Sequence, residues 1–164
     1  MAMGSTRQLL FGLAAVLSTA IAAAAASAQS PAAATPPKRL AVTVHPRNPA
    51  RSLSLEEVAD LFLARRQFWG LSVRVTLVLQ QAGSPAHAIL LRRVLAMTDA
   101  ELQRLYRERR YRGTLAVRIH LVASDQEARA VVAATPAAIG YVLESSVDAS
   151  VRVVLRVDAG EAAP

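Results

Sequence analysis

The sequence predicts a layered α/β domain, with helices packed on a mixed or mostly parallel sheet. Short β-branched runs alternate with helix-start signals, and the connections between them are short. Three Ser/Thr-x-x-Glu capping signatures, "SLEE", "TDAE" and "SDQE", each stand in register with an apolar stripe.

In chain order, Leu40 to Val44 is apolar and bounded by His45-Pro46 and Asn48-Pro49, which predicts a buried strand and a turn. Ser54 to Glu57 opens a helix whose inward stripe includes Val58, Leu61 and Phe62. Phe68 and Trp69 cap the core beneath the next strand, Val73 to Leu79. Ser84 then stands as a helix N-cap, Pro85 takes the first helical position, and Ile89, Leu90, Val94 and Leu95 form the buried face. Thr98 to Glu101 starts a further helix with Leu102, Leu105 and Tyr106 inward. Leu115 to Val122 is the third strand, and Ser124 to Glu127 caps a helix running to Ala134. Ile139 to Val142 and Val151 to Val157 complete the strands.

The ends differ in composition from this body. Arg7, the apolar run Leu9 to Ile21 and the small residues Ala26-Ser27-Ala28 fit a cleaved signal peptide over residues 1–28. The run is too short for a convincing membrane span, so export to a periplasm without stable membrane insertion is expected, the mature chain beginning at Gln29. Residues 29–39 read as a flexible leader, 40–158 as a single domain and 159–164 as a loose tail.

The formal net charge of +7 falls to +6 once Arg7 leaves with the signal peptide, which favours anionic partners. Export makes nucleic acid an unsuitable one. The chain has no cysteine, which excludes disulfides and thiolate metal sites. His45, His87 and His120 show no paired ligand spacing, so no metal is expected. There is no nucleophile elbow and no Gly-rich nucleotide loop, and Glu56-Glu57 complement a helix dipole, so the reading is non-catalytic and without cofactor.

The stretch "VHPRNPARSLSLEEVADLFLARRQFW" resembles the hinge-strand and first-helix segment of phosphate-type periplasmic binding proteins. Asn48-Pro49, Ser54-Leu55, Phe62-Leu63-Ala64-Arg65 and Trp69 stand at the matching positions, with Phe-Leu-Gly-Lys the family's usual run. "TPAAIGYV" resembles that family's Gly-Ala-Ile-Gly-Tyr-Val signature, with Ala137 in place of the first Gly. The likeness runs from about Leu40 to Val142 and implies one lobe of a two-lobed binding protein. It implies uptake or sensing of phosphate or another small anion, beside an ABC transporter or another periplasmic protein. A degenerate lobe serving as a periplasmic protein–protein interaction module is the alternative.

Two sets of residues are candidates for function. Gly83 and Ser84 sit where the family offers its ligand a Ser-Gly-Thr-like helix start, but only the serine of the three is kept. Ser84 serves either as an anion contact or as an N-cap bonded to its own helix. Pro85 removes one N–H that a phosphate would use, so binding by the lobe alone is expected to be weak. His87, in the first helical turn, adds a further ligand donor and is expected to be neutral and partly exposed. Arg104, Arg107 and Arg110 lie on the outer face of the following helix, either as a solvated face or as a docking surface for an acidic protein or lipid patch.

Overall fold

A computed structural model describes residues 38–160. The expected signal peptide, nearly all of the leader and most of the tail lie outside the described residues. The elements are β1 (Arg39–Val44), α1 (Leu55–Phe62), β2 (Phe68–Trp69), β3 (Val73–Arg74), β4 (Thr76–Gln80), α2 (Pro85–Ile89) with a π-helical continuation (Leu90–Leu95), α3 (Asp99–Tyr111), β5 (Arg118–Val122), α4 (Asp125–Ala134), β6 (Ala138–Leu143) and β7 (Arg152–Asp158). A short 3-10 turn, Glu144–Ser146, follows β6.

Five strands form one mixed sheet in the order β5-β4-β6-β1-β7. β4 pairs in parallel with both β5 and β6, whereas β1 runs antiparallel to β6 and β7. The chain leaves β4 through α2, the π segment and α3 to reach β5, then returns past β4 through α4 to reach β6. Connections that reverse direction along a sheet place their helices on opposite faces if both are right-handed. The core divides accordingly. Val58, Leu61, Phe62, Ile89, Leu90, Leu102 and Tyr106 pack on one face, and Ala128 and Val132 of α4 pack with Val78 and Val142 on the other. The crevice between the carboxyl ends of β4 and β6 is the switch point of this topology, where open α/β sheets take their ligands.

Local chemistry explains the element boundaries. Ser54 and Glu57 form both arms of a capping box on α1, as do Thr98 and Glu101 on α3. At α4, Glu127 reaches Ala123 N–H at 2.8 Å instead of the Ser124 amide, so that box is displaced by one residue. α1 ends in Ala64 at φ 53, with Arg65 N–H donating to Asp60 O at 2.8 Å and Ala64 N–H to Leu61 O at 3.1 Å. This is a Schellman end with alanine where glycine is usual. Gly140 is fixed by packing, since a Cβ there would lie 2.8 Å from a Val132 methyl of α4.

Two boundaries and one helix geometry differ from the sequence reading. The expected strand from Val73 is two, because Val73–Arg74 pairs with Phe68–Trp69 in a hairpin and Thr76–Gln80 joins the main sheet. The third strand starts at Arg118, not Leu115, because the Gln67 amide claims Thr114 O at 2.9 Å and Ala116 N–H at 2.5 Å. The helix after Ser84 widens to π geometry at Leu90 and stops at Ala96, φ 51. Trp69 is buried, its indole N–H donating to Ala137 O at 2.8 Å, while Phe68 stays partly exposed.

Candidate functional site

The carboxyl end of β4 carries Gln80, and three residues later the chain turns at Gly83, φ 91, into Ser84 and α2. Ser84 caps this helix, its Oγ accepting from His87 N–H at 3.5 Å. Its hydroxyl proton goes to the Gln80 side-chain carbonyl in a short contact. Both polar directions of the hydroxyl are therefore used within the chain. Gly83 stays exposed at the turn, with open space around it.

Behind Ser84 lies a buried polar network. Gln80 N–H donates to the Tyr141 hydroxyl at 2.8 Å, and the Gln80 side-chain amide donates to Tyr141 O at 3.0 Å and Asp125 Oδ1 at 2.6 Å. Asp125 Oδ2 accepts from Leu143 N–H at 3.0 Å and from the Ser146 hydroxyl at 2.8 Å. Burial raises the Tyr141 hydroxyl well above the usual phenol range, so it keeps its proton as a donor. Since that oxygen already accepts from Gln80, the proton points to His87 Nδ1, 2.6 Å away. His87 Nε2–H then donates to Asp99 Oδ1 at 2.9 Å, which assigns the Nε2–H tautomer.

This places His87 differently from the sequence reading, which has it partly exposed. The side chain is 2% exposed, with both ring nitrogens engaged. The cause is tertiary. Ala86, His87 and Ile89 face the core, and Tyr141 supplies a partner across the sheet. Ser84 and His87 come together through the His87 backbone, and the imidazole is turned inward, away from Gly83. Sequence reasoning missed Gln80, Asp99, Asp125 and Tyr141. A polar Gln80 closing the apolar run Leu77 to Leu79 was the one signal available for them.

The electrostatics of this end are set by carboxylates. Asp99 and Asp125, the first residues of α3 and α4, both enter the network, and among the described residues no arginine bonds to Gln80, Ser84, His87, Asp99, Asp125 or Tyr141. Carboxylates at helix starts are favoured by the dipole, and they occupy the positions an oxyanion would seek.

The second candidate set lies on α3. Arg104 is exposed and pairs with Glu108 at 3.0 Å. Arg107 and Arg110 are exposed and take part in no ion pair among the described residues. With Leu79, Tyr106, Ile119 and Leu121 they line a shallow groove of about 120 Å³ beside the edge strand β5. Arg109 points the other way, to Ala64 O at 3.2 Å. A larger cleft, about 580 Å³, opens at the amino ends of β4 and β6, away from Ser84, with Trp69, Arg74 and Arg118 among its walls.

No protein-family model matches the sequence, and no curated protein matches it. Solved structures match the fold. A Clostridium perfringens protein assigned as a phosphate ABC transporter substrate-binding protein, solved with bound phosphate, aligns at 21% identity and TM-score 0.58 over 71% of this chain and 44% of that one. An ABC-type phosphate transport receptor from Vibrio cholerae aligns at 18% identity and TM-score 0.56, over 71% and 45%. PstS from Borrelia burgdorferi aligns at 14% identity and TM-score 0.53, over 71% and 46%. The chain thus has the fold of phosphate-type substrate-binding proteins, and it spans less than half the length of these structures, as a single lobe would. No described helix is long and apolar enough to cross a membrane.

Proposed function

We propose that this chain is an exported, non-catalytic solute-binding-type lobe, periplasmic in location. It serves uptake or sensing of phosphate or another small anion beside an ABC transporter or another periplasmic protein. By itself it holds such an anion weakly at Ser84. The observation that carries the weak-site reading is the saturated network: the Ser84 hydroxyl is committed to Gln80 and His87, and Asp99 and Asp125 flank the helix start. A lone helix terminus contributes only about 0.3–1 kcal/mol to an anion, while millimolar affinity already requires about 4 kcal/mol. The interaction-module reading is favoured by one observation, the exposed Arg107 and Arg110 beside the β5 edge.

Calorimetry of the mature monomer with phosphate tests the weak-site reading. The expected result is no saturable site tighter than about 1 mM. A micromolar phosphate site, abolished by Ser84→Ala with the fold intact, makes the isolated chain a working receptor and overturns it.

A further inference from the structure

The cleft at the amino ends of β4 and β6 has the chemistry that the Ser84 end lacks. Its floor and walls are apolar, supplied by Pro49, Trp69, Val73, Pro136 and Ala137. Three arginines reach its rim from separate elements: Arg47 from the turn after β1, Arg74 from β3 and Arg118 from the start of β5. All three are exposed, and none forms an ion pair among the described residues. Thr76, 3% exposed, lines the same cleft. The volume, about 580 Å³, is in the range of small-molecule sites.

We propose that this cleft is a binding site for a small organic carboxylate with an apolar body. The guanidinium groups meet the carboxylate in planar, bidentate fashion, which suits arginine better than any other cation. The apolar body lies against Trp69 and the proline and alanine walls. Inorganic phosphate satisfies the arginines but leaves the apolar walls wet, so it is the poorer ligand here. The site is separate from Ser84 and does not depend on anion binding there.

Trp69 is the single tryptophan of the chain and lines the cleft, so its fluorescence reports occupancy directly. Benzoate and hexanoate are the probes, with benzyl alcohol and inorganic phosphate as controls. The expected result is a saturable change with both carboxylates, at least tenfold weaker response to either control, and no change in the response on Ser84→Ala. Arg74→Ala and Arg118→Ala, both exposed positions, each weaken carboxylate binding at least tenfold while the melting curve is retained. No saturable response to either carboxylate overturns the proposal. So does an equal response to benzyl alcohol or phosphate, or binding unaltered by both arginine variants. Phosphate titration at Ser84 is a different measurement, so the failure of one reading leaves the other distinguishable.

Discussion

The two ends of β4 and β6 hold similar groups in opposite arrangements. At the carboxyl ends Gln80, Ser84, His87, Asp99, Asp125 and Tyr141 satisfy one another, and among the described residues no arginine bonds to these six. At the amino ends Arg47, Arg74 and Arg118 surround an apolar cleft and have no carboxylate partner among the described residues. The switch point of an α/β sheet is where a ligand is expected, because helix N-termini converge there with free N–H groups. In this chain that expectation meets a helix start already filled by side chains. Anion affinity belongs to donors that are unpaired, and Arg47, Arg74 and Arg118 place three such cations at the other end.

Breaking the closed end has the largest expected effect. Tyr141→Phe removes the acceptor of the buried Gln80 N–H and the partner of His87 Nδ1, while leaving the ring that stands edge-on to Phe62. Each orphaned buried group costs about 1–3 kcal/mol, so a loss of about 2–6 kcal/mol is expected in denaturant unfolding. If the loss is under about 0.5 kcal/mol, the network does not hold the two strands together and the contrast between the ends fails.

Ser84→Ala sharpens the same comparison with a smaller effect. The variant deletes the N-cap acceptor of His87 N–H and releases the Gln80 carbonyl. Ser-to-Ala changes at N-caps cost about 0.5–2 kcal/mol, and the long bond of 3.5 Å puts this one toward the low end. Thermal unfolding measures it. A stability loss in this range is the result expected of a hydroxyl bonded on both sides within the chain.

Much of the fold was legible because its signals are local. The capping boxes, the Pro85 helix start and the inward stripes of α1 and α3 each lie within a few residues of sequence. The network was not legible, because its partners are far apart: Gln80 and Tyr141 are 61 positions apart, and His87 and Tyr141 are 54. That distance is why His87 reads as a partly exposed helix-start residue in the sequence and is a buried bridge in the fold. The β2–β3 hairpin was hidden for a related reason. Val73 to Leu79 is uniformly β-prone, and only the Val75 N–H bond to Gln67 O at 2.9 Å divides it. The arginines of the cleft come from three separate stretches, so no sequence window contains the site.

The smallest expected effect on stability is at Arg107 and Arg110, and it tests whether the α3 face works by docking or by holding the fold. Both side chains are exposed, and neither pairs with a carboxylate among the described residues. Arg110 lies in the last turn of α3, where a cation complements the helix dipole by about 0.3–1 kcal/mol. The double reversal Arg107→Glu and Arg110→Glu is therefore expected to cost no more than about 1 kcal/mol. Arg109 on the same helix is the internal control. It is half-buried and donates to Ala64 O at 3.2 Å, the carbonyl of the left-handed residue that ends α1. Arg109→Ala removes that bond together with the packing of its stem, and is expected to cost about 1–3 kcal/mol. Thermal unfolding of both variants, with salt-dependent binding to an acidic protein measured in parallel, separates the two roles. Arg109→Ala should lower stability and leave the binding intact. The double reversal should abolish the binding and hardly move the melting curve, and a large loss of stability there instead makes the arginine face part of the fold.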